Sequence, residues 1–491
     1  MRLINLIIIM LSLLPLTLSG GERIALTLDD AIARARVRSV SAEASLQRLR
    51  SAYWEFRTYR ADLLPEVSFN ATLPGYYKQY NSYQNSDGSY SFVHNNYLDL
   101  TGTLAVSQNI WLTGGKLSLN TSLDYLHQFN GVNRNRFMSI PVALTLDQPI
   151  FGVNTVKWDR RIEPVRYAEA KAQFLSETED VALTAIQGFF SLLLARENVN
   201  IAEQNRANAS KLYEVAQEKR RMGSISNNDL LQMELNLLTA TSDLTDAQSD
   251  YKSAMFQLIT FLGYGDDVEI DPVEPGALPD MEVSYADALD KALSRNKFAK
   301  NQLRRQLQAE YDVAKAKGDL RKIDLHAQVG LTGTGQRLRN AYDPLKDNQI
   351  VEVGISIPLL DWGKRRGRVK TAQSQLRLTE SQLRQEEQEF SQDLFILVER
   401  FNNQRVQVRL AEQADTIAGK RYATNFETFL IGKISTLDLN DSQTVKDDSR
   451  RRLLNERFSY FSYYYRLRSL TLWDFSTDTP IEADIEAILR Q

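Results

Sequence analysis

The chain has 491 residues, the length of about three average domains, yet only 12 prolines and 23 glycines punctuate it, so long unbroken elements are expected. Charged residues make up 25 %, apolar residues 43 % and the net charge is −3, which argues against disorder and against a reader of nucleic acid. Cysteine is absent, and His94, His127 and His326 stand far apart with no H-E-x-x-H helix, so thiolate zinc sites, a cysteine nucleophile and a histidine metal centre all lose their material. Neither a metal nor a cofactor is expected. Gly-x-Ser-x-Gly, Ser-x-x-Lys with its partners and the phosphate-binding Gly-x-x-x-x-Gly-Lys-Ser/Thr are missing in the required context, so a hydrolase has no motif to rest on.

Arg2 precedes an apolar run from Leu3 to Leu18 that ends in Ser19, Gly20 and Gly21. Asn5, Ser12 and Pro15 interrupt this run, and it is short for a span of ~30 Å, so residues 1–20 read as a secretory signal peptide rather than a retained anchor. No cysteine follows, which excludes a bacterial lipoprotein anchor. Beyond Gly21 no run of eighteen apolar residues occurs, so any later membrane insertion has to be as a β-barrel.

One repeat organises the rest. Thr27-Leu28-Asp29-Asp30-Ala31 and Ser284-Tyr285-Ala286-Asp287-Ala288 open helical patterns 257 residues apart, and Asp62-Leu63 and Asp319-Leu320 keep that offset. Gln148-Pro149-Ile150-Phe151 matches Ile357-Pro358-Leu359-Leu360, and Met222-Gly223-Ser224-Ile225-Ser226 matches Ile431-Gly432-Lys433-Ile434-Ser435, at an offset of 209. Two halves of one plan follow, the first carrying 48 additional residues between about Ala71 and Pro149. The first repeat takes residues 21–270, with a helix, β-hairpins at 66–150 and a long helical hairpin at 161–262; a proline-rich extended linker spans 271–280. The second takes 281–475, with a helix, a β-hairpin at 323–360 and a helical hairpin at 364–472, and 476–491 is a C-terminal tail.

Within each half two periodicities alternate. Ile32, Ala35, Ser39, Ala42, Leu46, Leu49, Tyr53 and Phe56 keep a 3/4 spacing, predicting one long helix before Pro65. The period then switches to two, in segments beginning near Val67, Leu98, Leu117 and Ile140 and, in the second half, from Leu325 to Gly333 and from Val351 to Leu359. Segments of about ten residues, apolar on one face and small or polar on the other, fit a barrel with lipid outside and water inside, a soluble β-sandwich being the competing reading. Tyr76, Tyr77, Tyr80, Tyr83, Tyr90 and Tyr97 read as the girdle and outer loop of such a barrel. Gly330 to Gly335 reads as flexible strand, and Lys364, Arg365, Arg366 and Arg368 as a solvated helix start near lipid headgroups.

Past the strands, heptads run without a slip from Leu230 through Leu237, Leu244 and Tyr251 to Phe261, with counterparts from Ala168 to Leu193 and from Phe390 to Ala411. A helix from about Arg161 to Arg221 is ~90 Å long. Each helical hairpin turns at a glycine followed by an isoleucine and a serine, Gly223-Ser224-Ile225-Ser226 and Gly432-Lys433-Ile434-Ser435. Glycine suits the left-handed residue that ends a helix. The spacing of Ser226 to Asp229 and of Ser435 to Asp438 is that of a capping box, so Ser and Asp have a structural explanation. Asp441 is not needed by the cap, and with Asp438 at i and i+3 it makes one acidic face, which repeated about an axis gives a ring of the kind found in cation-selective constrictions.

On these residues the chain resembles the TolC-like outer-membrane factors, the exit ducts of tripartite efflux pumps and type I secretion systems. That resemblance implies a mixed α/β membrane protein: a homotrimer whose chains give four strands each to a twelve-stranded outer-membrane β-barrel and their helices to a long periplasmic α-helical coiled-coil barrel. It implies that Asp438 and Asp441, with Asp229, ring the closed periplasmic aperture. It implies too that the tips around Gly223, Ile225, Ser226, Gly432, Ile434 and Ser435 meet a periplasmic adaptor, which works with an inner-membrane RND, ABC or MFS-type transporter. The expected function is a passive trimeric channel-tunnel in the outer membrane of a Gram-negative bacterium, extending into the periplasm, in contact with outer-membrane lipid and with no catalytic turnover.

Two departures stand out. Gln232 occupies the place matching Asp441 in the first half. The 48-residue surplus supplies two more strand-like segments than the family plan, so either a trimer closes about eighteen strands or the additional hairpin lies outside the barrel or in its mouth. An autonomous porin needs no coiled-coil rods, and a periplasmic coiled-coil scaffold leaves the alternating strands unexplained. The seven methionines form no cluster, which lends copper export no support.

Overall fold

The computed structural model describes residues 22–129, 135–265, 267–276, 281–320, 323–355, 360–431 and 433–490. The expected signal peptide, Gly432 and the Pro358 junction lie outside the described residues.

The repeat is visible element by element. The first half runs β1 (Glu22–Leu26), α1 (Leu28–Arg38), α2 (Val40–Ala61), β2 (Glu66–Gln84), β3 (Tyr90–Ile110), β4 (Gly115–Gln128), β5 (Asn135–Ile150), α3 (Thr155–Arg221), α4 (Asn227–Leu262) and β6 (Val268–Pro272). The second runs α5 (Tyr285–Arg295), α6 (Lys297–Gly318), β7 (Ile323–Gly335), β8 (Lys346–Ile355), α7 (Lys364–Leu430) and α8 (Thr436–Thr471), followed by β9 (Trp473–Asp474), β10 (Thr479–Pro480) and α9 (Ile485–Arg490). Both long helices, α3 and α7, have 67 residues, and both return helices, α4 and α8, have 36. By position β2 answers to β7 and β5 to β8, so β3 and β4 are the insertion.

Three expectations are corrected. The helix before Pro65 is two helices, because Ser39 leaves the helical region at ψ 147° while its hydroxyl accepts from the N–H of Ala42; Asn296 makes the same break in the second repeat, at ψ 154°. Both residues are buried, so the break belongs to the packing. The linker is not wholly extended coil, since β6 pairs in parallel with β1 and buries Ile270 and Leu26. Nor are Tyr76 to Tyr97 an outer loop, for they lie on the strands β2 and β3, paired as far as Gln84 and Tyr90. A bulge between Thr72 and Gly75 lets two residues oppose one, which reverses the in–out parity and breaks the period-two pattern at Pro74.

The chain forms two compact units. One comprises the described parts of Met1–Leu49, Lys171–Lys297 and Gln388–Gln491. Its core is helical: Ala182, Ile186, Phe189 and Leu192 of α3 are fully buried with Leu258 and Leu262 of α4 and Ala31 and Ala35 of α1. The second repeat builds an equivalent core from Ala288 and Ala292 of α5, Leu394 and Phe401 of α7 and Tyr460 and Leu467 of α8. Among the described residues α3 alone is long and apolar enough to cross a membrane by composition, but its apolar stretch is this core. Glu179, 2 % exposed, bridges the halves, accepting from Arg36 at 2.5 Å and from Arg468 at 2.8 Å, while Arg468 also pairs with Asp474.

The other unit, Arg50–Ala170 and Phe298–Glu387, holds a six-stranded antiparallel sheet in the order β2-β3-β4-β5-β7-β8. Direct register partners give one face an apolar row, Val67, Val106, Leu119, Leu144 and Val329, and the other a polar row, Glu66, Ser107, Ser118, Thr145 and Gln328. The apolar row faces out, with Val67 66 % and Val329 57 % exposed, as lipid contact requires and a soluble sandwich forbids. The polar face includes His326, whose ring lies 2.5 Å from the Asp147 carboxylate. Gly330 and Gly333 are packing positions rather than loose strand: a Cβ would stand 2.6 Å from the Val142 carbonyl oxygen at the first and 2.2 Å from that of Ala341 at the second.

Glu179→Ala removes the carboxylate from partly exposed Arg36 and leaves Arg468 with Asp474 as its ion-pair partner, a loss below the ~3–5 kcal/mol of a fully buried pair broken on one side. The thermal midpoint of the detergent-extracted protein is expected to fall by several degrees, and a midpoint equal to the parent's contradicts the assignment.

Candidate functional site

The candidate site is the pair of hairpin tips, both in the helical unit. Gly223 ends α3 with φ +73°, a conformation only glycine takes without strain, and no atom beyond its neighbours lies within 4 Å of where a Cβ would be. Ser226 then caps α4: its Oγ accepts from the N–H of Asp229 at 3.1 Å, and the Asp229 carboxylate accepts from the N–H of Ser226 at 3.1 Å. Ser435 and Asp438 repeat this box at the start of α8, at 3.2 and 3.3 Å. The spacing in the sequence had implied these two boxes. Hydrogen bonds from the Ser435 hydroxyl and then its N–H hold the Asp438 carboxyl below the usual carboxylate range, which favours its charged form.

Ile225 and Ile434 are half-buried and join Leu212, Ala216, Met233 and Leu439 in a small apolar cluster. They plug the tips from inside, while Gly223, Ser226, Asp229, Ser435, Asp438 and Asp441 remain at the exposed surface.

Asp441 is not a lone carboxylate. Its Oδ2 accepts from Arg421 Nη2 on α7 at 2.6 Å, tying the two arms of the second hairpin together. Sequence reasoning missed Arg421, although the signal was there: Arg421 and Asp441 are equally distant from Ile431 at the turn, and residues so placed meet across an antiparallel hairpin. At the repeat offset, Leu212 and Gln232 take their places in the first hairpin, so both halves of the ion pair have been exchanged together for uncharged residues.

Behind the tips a polar layer joins the repeats. Asn205 donates to the buried Asp447 at 2.8 Å, Asn208 donates to the Tyr422 hydroxyl at 2.8 Å, and Lys446 lies 3.1 Å from Asp447 and 4.8 Å above the Tyr422 ring. Burial, with the Asp447 charge adding to it, pushes the Tyr422 phenol up to about 12. Among the described residues no group of three or more His, Asp or Glu side chains could hold a metal ion.

The comparisons agree with this geometry. The sequence matches the family described as Outer membrane efflux protein over residues 31–264 and 293–471, and the chain belongs to that family. Comparison with curated proteins finds no match. Among solved structures, the CmeC outer membrane channel of Campylobacter jejuni is similar at a TM-score of 0.67 and 14 % identity, over 94 % of this chain and 88 % of that one. VceC of Vibrio cholerae is similar at 0.63 and 14 %, over 93 % and 97 %. The open state of the Neisseria gonorrhoeae MtrE channel is similar at 0.60 and 13 %, over 93 % and 91 %. The protein is thus an outer-membrane channel of an efflux system, with two internal repeats of strands and long helices, in a family of channels rather than enzymes.

Because the folded-state value of Tyr422 lies above its ordinary 10.0, the stability it confers is complete below pH 10 and is lost as pH rises toward about 12. Tyr422→Phe is expected to remove one late-ionising phenol from an ultraviolet titration, leaving that of Tyr465, which burial also pushes up to about 12. A spectrum in which every tyrosine ionises near pH 10 contradicts the buried assignment.

Proposed function

We propose that this chain is the passive, homotrimeric exit duct of a tripartite efflux pump or type I secretion system. Its periplasmic end is closed at rest and opened by an adaptor acting with an inner-membrane transporter of RND, ABC or MFS type. The observation that carries this reading is the doubled tip: two capped helix hairpins, each turning on a short Gly-x-Ile-Ser segment, with exposed carboxylates grouped on the second. A channel that worked alone has no need of two such ends on helices of 67 residues.

In this reading Asp438 and Asp441 line the aperture, joined by Asp229. Asp438 contributes permanent charge, while Asp441 shares its charge with Arg421. Three copies bring about six second-hairpin carboxylates together, and divalent cations bind such a ring. The Arg421–Asp441 pair is exposed and so is worth at most about 1 kcal/mol per hairpin. That suits a latch which an adaptor must release.

The exposed edge of the tips, Gly223 with Ser226 in the first hairpin and Ser435 in the second, is the surface offered to the adaptor. Gly223→Val forces a branched side chain to φ +73° and deforms this edge without touching the strands. Export is expected to fall at least tenfold with the protein inserted at normal levels; undiminished export removes the tips from the contact.

Asp438→Ala combined with Asp441→Ala is expected to raise single-channel conductance in a planar bilayer and to weaken divalent block. Arg421→Ala, which unlatches but leaves the acids, is expected to raise conductance while keeping the block. Parent-like behaviour in both variants returns Asp438 to its helix cap and Asp441 to its pair with Arg421, with no part in gating.

A further inference from the structure

We infer that the two additional strands are part of the barrel wall, and that β2 of one copy pairs with β8 of the next to close about eighteen strands in place of twelve. This rests on the trimer proposed above.

Among the described residues, β2 and β8 each have a single neighbour, so the six-stranded sheet ends in two open edges. Six strands are too few to close on themselves, since eight is the smallest membrane barrel. An open edge within hydrocarbon leaves its N–H and C=O groups unpaired at several kcal/mol each, so each edge needs a strand from elsewhere. A second copy supplies one of the correct direction: the sheet is antiparallel throughout with an even number of strands, so β2 and β8 run oppositely and extend the same ladder head to tail.

By position β3 and β4 are the insertion, but in the sheet order a twelve-stranded wall closed through β4 would leave out β2 and β3, and two features place that pair at membrane depth instead of outside the wall or in its mouth. The apolar row is continuous from Val67 through Val106, Leu119 and Leu144 to Val329, and Val351 and Val353 carry the same face onto β8. A hairpin folded into an aqueous mouth has no reason to expose Val67 and Phe69 beside Leu104 and Val106. The polar row keeps step on the other face, from Glu66 and Ser107 to Gln328. The second feature is the ladder between β3 and β4, which runs unbroken from Tyr97↔Gln128 to Ile110↔Gly115. Closing twelve strands through β4 would strip that whole ladder and leave a two-stranded ribbon in lipid with both edges open. Eighteen strands also give a wall of porin class, whose lumen is an aqueous channel rather than a packed core.

The absence of cysteine makes the test direct. Ser68→Cys is combined in turn with Ile350→Cys, Glu352→Cys and Gly354→Cys, spanning the possible stagger, and oxidised in isolated outer membranes. Disulfide-linked dimers and trimers in at least one combination are expected. The control series places Asn120→Cys of β4 with the same three positions; links between copies in that series, with none from Ser68, overturn the proposal while leaving the trimer standing. Native mass spectrometry of the unoxidised protein separates the two readings, since a monomer there refutes the trimer itself. Should the cysteine variants fail to insert, electron cryo-microscopy of the unmodified protein decides by strand count: about eighteen supports the inference and twelve overturns it.

Discussion

A backbone N–H or C=O group placed in hydrocarbon without a partner costs several kcal/mol, and this penalty governs the architecture. The apolar stretch of the one described helix capable of spanning a membrane is spent on the helical core, where Phe189 and Leu192 are fully buried. What is left to meet lipid is a sheet with Val67, Leu119, Leu144 and Val329 on its outer face and two unsatisfied edges. Such a sheet is incomplete as a single chain. Symmetric assembly is therefore a condition of insertion, and the channel axis follows from the same operation that closes the wall.

The helical half solves a different problem by duplication. Each repeat provides a 67-residue helix and a 36-residue return, and each ends in the same capping box, so the two hairpins match in length and in the chemistry of their ends. Matched hairpins can pack side by side; differences between them then mark where one has acquired a task. Arg421 and Asp441 against Leu212 and Gln232 are such a difference, an exposed ion pair tying the two arms of one hairpin where the other has uncharged residues at the matching places. The polar layer of Asn205, Asp447, Asn208 and Tyr422 joins the repeats behind the tips.

The repeat, the strand faces and the two capping boxes were legible because each rests on local rules: fixed offsets, period two, and the Ser-to-Asp spacing. The tyrosine-rich hairpin was not, because one bulge at Thr72–Gly75 reverses the parity on which the strand reading depends. The breaks at Ser39 and Asn296 escaped for another reason: neither residue is a helix breaker by propensity, and both are fixed by burial against distant parts of the chain. Pairing of β1 with β6 joins segments about 246 residues apart, as in Arg23 and Glu269, and no short-range pattern encodes it. The Asp441 partner lay within reach of sequence reasoning, given the hairpin, once the turn is used as a mirror.

The most direct measurement of the central claim is amide hydrogen exchange on the detergent-extracted oligomer, read strand by strand. If copies complete one another's sheet, the N–H groups on the outer edges of β2, around residues 67–71, and of β8, around residues 349–354, exchange as slowly as those of β4 and β5 in the middle of the sheet. Fast exchange along both edges, with β4 and β5 protected, would mean that the sheet stays open and would contradict the account.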